Sequence, residues 1–122
     1  MTTSERRLGE RYLVSFPIRV EWKNDSGQNV VEEGLTENVG PNGALVFLPR
    51  SLPGVGAKVS LIVTERKEEV EVGAEVLRVE RNVSHPQAAL QLTSSIRIWK
   101  EKVWNYAAKV IAEQEPEEYD DW

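Results

Sequence analysis

Cysteine is absent from the 122-residue chain, which excludes disulfides, zinc-thiolate sites and thiol catalysis. Histidine occurs once, as His85. A Ser-His-Asp arrangement would have to use that imidazole, yet it sits in "VSHPQ", a loop-like stretch with no nucleophile elbow nearby. One histidine is also too few for an ordinary imidazole metal site, and the carboxylates lack calcium-loop spacing. "GVGAKVS" resembles part of a phosphate loop but lacks the full Gly-x4-Gly-Lys-Ser/Thr spacing and a following helix. No run approaches the ~18 apolar residues of a membrane helix, and "MTTSERRLGER" has no apolar stretch behind its charges, as a secretory signal would. The triplets Asn24 to Ser26 and Asn82 to Ser84 therefore read as chance glycosylation matches. These absences point to a cytoplasmic protein with no enzyme activity, no catalytic residues, no metal or cofactor, and no membrane insertion.

Charge is present but unevenly spread. The net charge is -5, and the last ten residues, "EQEPEEYDDW", hold six acids and no base. Taking those six from the total of 20 leaves 14 acids against 15 bases over residues 1–112. The body is thus close to neutral, with a basic N-terminal end and an acidic tail. DNA or RNA binding wants a broad basic face, which this composition does not supply. A small anionic ligand needs only a few well-placed arginines.

Apolar residues from Leu13 to Trp22 alternate, with Val14, Phe16, Ile18, Val20 and Trp22 on one face, which predicts a strand with one buried side. Pro17 lacks an N–H and suggests an edge position or an irregular start. Further strands are expected at Asn29 to Val39, where Gly34 would weaken or bulge the strand, at Ala44 to Pro49, and at Lys58 to Val63. The fifth begins near Val70. Val70, Val72, Ala74 and Val76 share one parity while Leu77 and Val79 take the other, so a bulge is expected near Val76–Leu77. Ala88 to Thr93 gives a sixth. Six short strands without interleaved helices predict a mainly β fold, a small antiparallel barrel or sandwich.

From Ser95 onward the period changes. Ile96, Trp99, Val103, Ala107, Val110 and Ile111 recur at helical spacing, Trp104 and Ala108 widen the stripe, and Ser94 or Ser95 can cap the first turn. The stripe is read as packing on the barrel, the other reading being an exposed stripe that docks on a partner. The expected organisation is a flexible arginine-bearing arm over residues 1–12, a barrel over 13–93, a helix over 94–114 and an acidic tail over 115–122.

Two stretches carry ligand chemistry. "RRLGER" places Arg6, Arg7 and Arg11 around Gly9. Guanidinium groups are planar, permanently charged and forked, so they bind phosphates through paired hydrogen bonds and stack on purine faces. The plainer reading is a solvated basic end pairing with Glu5 and Glu10. "ENVGPNGALV" places Asn38, Gly40 and Gly43 between two strands. Asn38 offers an amide for reading a base edge and the glycines allow close backbone approach, although Pro-Asn-Gly is also ordinary turn chemistry.

Together these stretches resemble the PilZ family, bacterial receptors for cyclic di-GMP. Arg7 to Arg11 fits the family's Arg-x-x-x-Arg segment just before the first barrel strand, with Arg6 as the extra preceding arginine of many members. Asn38 to Gly43 fits its Asp/Asn-x-Ser-x-x-Gly segment at Asn38 and Gly43. The resemblance covers roughly residues 5–95. It implies a six-stranded antiparallel β-barrel with a C-terminal α-helix, and cyclic di-GMP as ligand. Arg7 and Arg11 would grip its phosphates and guanine edges, and Asn38 would hydrogen-bond a guanine on the barrel surface. It also implies an unidentified protein partner that receives the signal. Gly40 stands where the family has serine, and one missing hydrogen bond typically costs ~0.5–1.5 kcal/mol. Members with eroded motifs act as protein-interaction adaptors without binding the dinucleotide, and that is the alternative the resemblance carries.

Overall fold

The computed structural model describes residues 7–114, with side chains from residue 9 onward. Arg6 and the acidic tail, residues 115–122, lie outside the described residues. Strands run β1 (Arg7–Leu8), β2 (Arg11–Tyr12), β3 (Pro17–Lys23), β4 (Asn29–Gly40), β5 (Gly43–Phe47), β6 (Lys58–Val63), β7 (Val70–Glu80) and β8 (Gln87–Leu92). All pairings are antiparallel. The order β4-β3-β6-β7-β8-β5 returns to β4, closing a six-stranded barrel, and the short β1–β2 hairpin adds to its outside through Tyr12 opposite Val39. Closure leaves the six strands no free edge to aggregate through.

The alternating pattern does what period two requires. Ile18, Val20 and Trp22 point inward from β3, with Val39, Val46, Leu61, Val72, Val76, Ala88 and Leu90 around them in one core. Val14 and Phe16 are buried too, but regular pairing begins only at Pro17, the first residue of β3, where a missing N–H is tolerated. The bulge expected near Val76–Leu77 is present, since the β7–β8 register shifts between Val76 and Arg78. The irregularity expected at Gly34 is not there. Gly34 pairs regularly with Ile18, and a Cβ on it would collide with the Phe47 carbonyl oxygen, so glycine serves close strand approach. The break in β4 falls instead between Thr36 and Asn38.

The C-terminal helical segment comprises α1 (Ile96–Trp99), a π turn over Lys100–Trp104, and α2 (Asn105–Gln114). Trp99, Val103, Ala107 and Ile111 join the barrel core, and Trp104 and Val110 pack beside it. The serine cap does not form as expected. Ser95 is left-handed at φ 57° with no side-chain cap bond, and Ser94 Oγ instead accepts a hydrogen bond from the Gly73 N–H at 3.0 Å. Arg66 holds the π turn from the barrel side: its Nη2 donates to the Lys102 carbonyl at 2.9 Å, and its guanidinium lies 4.2 Å over the Tyr106 ring. No helix among the described residues is long and apolar enough to cross a membrane.

Candidate functional site

Asn38 owes its direction to the β4 bulge. Thr36 and Val39 are both buried, so simple alternation from Thr36 would turn residue 38 inward. Glu37 is the extra residue at the register shift, with Thr36 opposite Val46 and Asn38 opposite Leu45. The shift carries Asn38 to the outer face. Thr36 pins the bulge from inside, where its Oγ accepts from the Phe16 N–H at 2.8 Å and donates to the Val14 carbonyl at 2.5 Å. Outside, Glu37 lies 2.8 Å from His85 Nε2, and the His85 ring stacks on Phe47 with centroids 4.8 Å apart. The lone histidine is thus an exposed loop residue with a bracing contact.

Arg11 meets Asn38 there. Arg7–Leu8 and Arg11–Tyr12 pair around Gly9 and Glu10, with Gly9 at φ 64°, a conformation that favours glycine. This hairpin lays the exposed Arg11 side chain over the barrel, and its Nη1 donates to Asn38 Oδ1 at 2.6 Å. The same guanidinium covers Gly40: a Cβ there would lie 3.2 Å from Arg11 Cζ and 3.3 Å from Nη1. Among the described residues Arg11 has no carboxylate within ion-pair distance. Arg19 contrasts with it, bound to Glu21 and Glu69, whose hydrogen bonds raise its pKa further above the usual arginine range.

Beside Arg11 an open groove of about 420 Å³ is lined by Glu10, Arg11, Pro41, Asn42, Gly43 and Leu77, with Leu90 and Gln91 behind them. Leu77 reaches it because the β7 bulge leaves that side chain outside, 53% exposed. Gly43 is glycine for packing. A Cβ on it would collide with the Leu90 carbonyl where β5 pairs with β8. The structure therefore brings Arg11, Asn38, Gly40 and Gly43 to one patch and places the Arg7 backbone in the same hairpin; Arg6 lies outside the described residues. Sequence reasoning passed over Leu77 as a groove residue and Trp99 and Trp104 as supports. Trp99 Nε1 donates to the Gly40 carbonyl and Trp104 Nε1 to the Glu10 carbonyl, each at 2.8 Å. Their place in an apolar helical stripe gave no sign of these bonds.

A forked cation beside an amide, over a groove, suits an anion that carries a hydrogen-bonding ring. No group of three or more His, Cys, Asp or Glu among the described residues could hold a metal.

Comparison with known proteins follows the same line. The family model described as PilZ domain matches residues 5–103. Among solved structures, the inhibitor of motility MotI/DgrA of Bacillus subtilis superposes with a TM-score of 0.65 at 16% identity, covering 90% of this chain and 53% of that one. The PilZ domain of YcgR from Escherichia coli, solved with c-di-GMP, gives a TM-score of 0.64 at 11% identity, covering 89% and 96%. MrkH of K. pneumonia, in complex with c-di-GMP, gives 0.63 at 13% identity, covering 89% and 54%. The chain spans about half the length of MotI/DgrA and MrkH. At these identities the likeness establishes the fold. No curated protein sequence matches the chain.

Proposed function

Since the chain belongs to the PilZ domain family, we propose that it is a non-enzymatic receptor for cyclic di-GMP that relays occupancy to a partner protein. The observation that carries this reading is Arg11: an exposed guanidinium without a carboxylate partner among the described residues, 2.6 Å from the Asn38 amide and beside a groove of about 420 Å³. That volume falls within the ~300–1,000 Å³ of ordinary ligand sites. Arg11 and Arg7, with Arg6 preceding them, bind phosphates through charge-assisted forked hydrogen bonds or the O6/N7 edge of guanine. Asn38 hydrogen-bonds a guanine, and Gly40 and Gly43 leave the barrel surface low beneath it. The binding of c-di-GMP by the YcgR domain and by MrkH supports the ligand assignment.

A second reading, an adaptor that binds protein without the dinucleotide, is favoured by one observation. Position 40 has no side chain, and Arg11 lies over it. The two readings part in isothermal titration calorimetry of cyclic di-GMP. The receptor reading expects micromolar or tighter binding, lost in Arg11→Ala without a change in barrel circular dichroism, because Arg11 is exposed. Absence of heat from the wild type at high ligand concentration would leave the adaptor reading.

A further inference from the structure

The two halves of the site share one support. Trp99, buried in the core, donates its indole N–H to the Gly40 carbonyl, at the end of the strand that carries Asn38. Trp104 donates to the Glu10 carbonyl and lies 6.1 Å, centroid to centroid, from the Tyr12 ring. Glu10 and Tyr12 are the chain neighbours of Arg11, so Trp104 contacts both sides of the guanidinium-bearing residue, the Glu10 backbone on one and the Tyr12 ring on the other. The two tryptophans stand five positions apart. In an unbroken α-helix that spacing turns them about 140° apart. The π turn over Lys100–Trp104 is what changes this, since i→i+5 hydrogen bonds bring residues five apart toward one face.

We infer that Trp104 is a positioning residue for the ligand site, fixing Arg11 over Asn38 through the Glu10 carbonyl and the Tyr12 ring, with the π turn placing it beside Trp99. The ligand named in the test rests on the cyclic di-GMP reading; the hairpin contact itself does not. The arrangement makes the helix the element that senses whether the arginine hairpin is seated, because the hairpin cannot shift without disturbing an indole bond.

The test is Trp104→Phe, which keeps a six-membered ring on the Tyr12 side and removes the N–H donor together with the five-membered half of the indole. Amide hydrogen exchange over Gly9–Tyr12 and the Arg11 guanidinium resonances are followed without ligand, with the melting temperature recorded. The expected result is faster exchange in the hairpin and loss of the ordered Arg11 signal, while barrel amides keep wild-type protection. Cyclic di-GMP affinity then falls roughly two- to tenfold, the worth of one hydrogen bond. Unchanged hairpin protection and Arg11 signals would overturn the inference. If Trp104→Phe lowers barrel protection as well, Trp104→Leu is compared: equal losses across barrel and hairpin in both variants would reduce Trp104 to a packing residue and also overturn it. Failure of the wild type to take up cyclic di-GMP would count against the ligand assignment alone, since the exchange data decide the positioning role by themselves.

Discussion

Gly40 and Gly43 stand three residues apart and lack a side chain for different reasons. At Gly43 the space is filled by the Leu90 carbonyl, so the barrel itself requires glycine. At Gly40 the nearest atoms belong to the Arg11 side chain, at 3.2–3.4 Å, and φ is not in the left-handed region that Gly9, Gly27 and Gly56 occupy. A side chain at position 40 therefore asks only that a flexible guanidinium move by a few tenths of an ångström. Gly40→Ser is expected to tighten cyclic di-GMP binding by up to about tenfold by supplying a hydroxyl at the ligand surface. Calorimetry checks it, and equal or weaker affinity would mean that Arg11 does not yield. The spacing of Asn38, Gly40 and Gly43 was legible in the sequence. The reason for Gly43 was not, because it depends on β8, a strand more than forty residues away.

At the scale of the element, both bulges build the site: one turns Asn38 outward to meet Arg11 and the other leaves Leu77 outside, on the groove. The β7 bulge could be read from the sequence because the apolar parity changes between Val76 and Val79, on either side of it. The β4 bulge was hidden, since the inward residue before it is Thr36, a polar residue, and Gly34 was the more obvious irregularity. That threonine makes the bulge costly to disturb. Thr36→Val leaves the Phe16 N–H and the Val14 carbonyl without their side-chain partner in a buried site. The expected loss of stability is about 1–3 kcal/mol in urea unfolding, and a variant as stable as wild type would show that water or backbone replaces the hydroxyl. The helix was legible as an apolar stripe. Its π turn was not, because no residue type marks the register change; it follows from tertiary contacts, including Arg66 to the Lys102 carbonyl.

For the molecule as a whole, six short strands without intervening helices made an antiparallel barrel or sandwich legible, and the PilZ resemblance selected the barrel. Net charge gives less. The chain carries -5, with its acids concentrated at the C-terminal end, so its long-range field does not attract an anionic ligand. At ~0.15 M salt, charges beyond ~8 Å are largely screened, and the guanidinium groups at the groove decide binding locally. A competing groove exists, about 450 Å³ beside Trp22, Lys23 and Lys58, at the end of β4 away from the arginine hairpin. The most direct measurement is therefore one that locates the ligand: a ¹H–¹⁵N spectrum of the full chain titrated with cyclic di-GMP. The resonances of Arg11, the Asn38 side-chain amide, Gly40 and the indole N–H groups of Trp99 and Trp104 are expected to move together. Shifts clustered instead around Trp22, Lys23 and Lys58, or none at all, would contradict it.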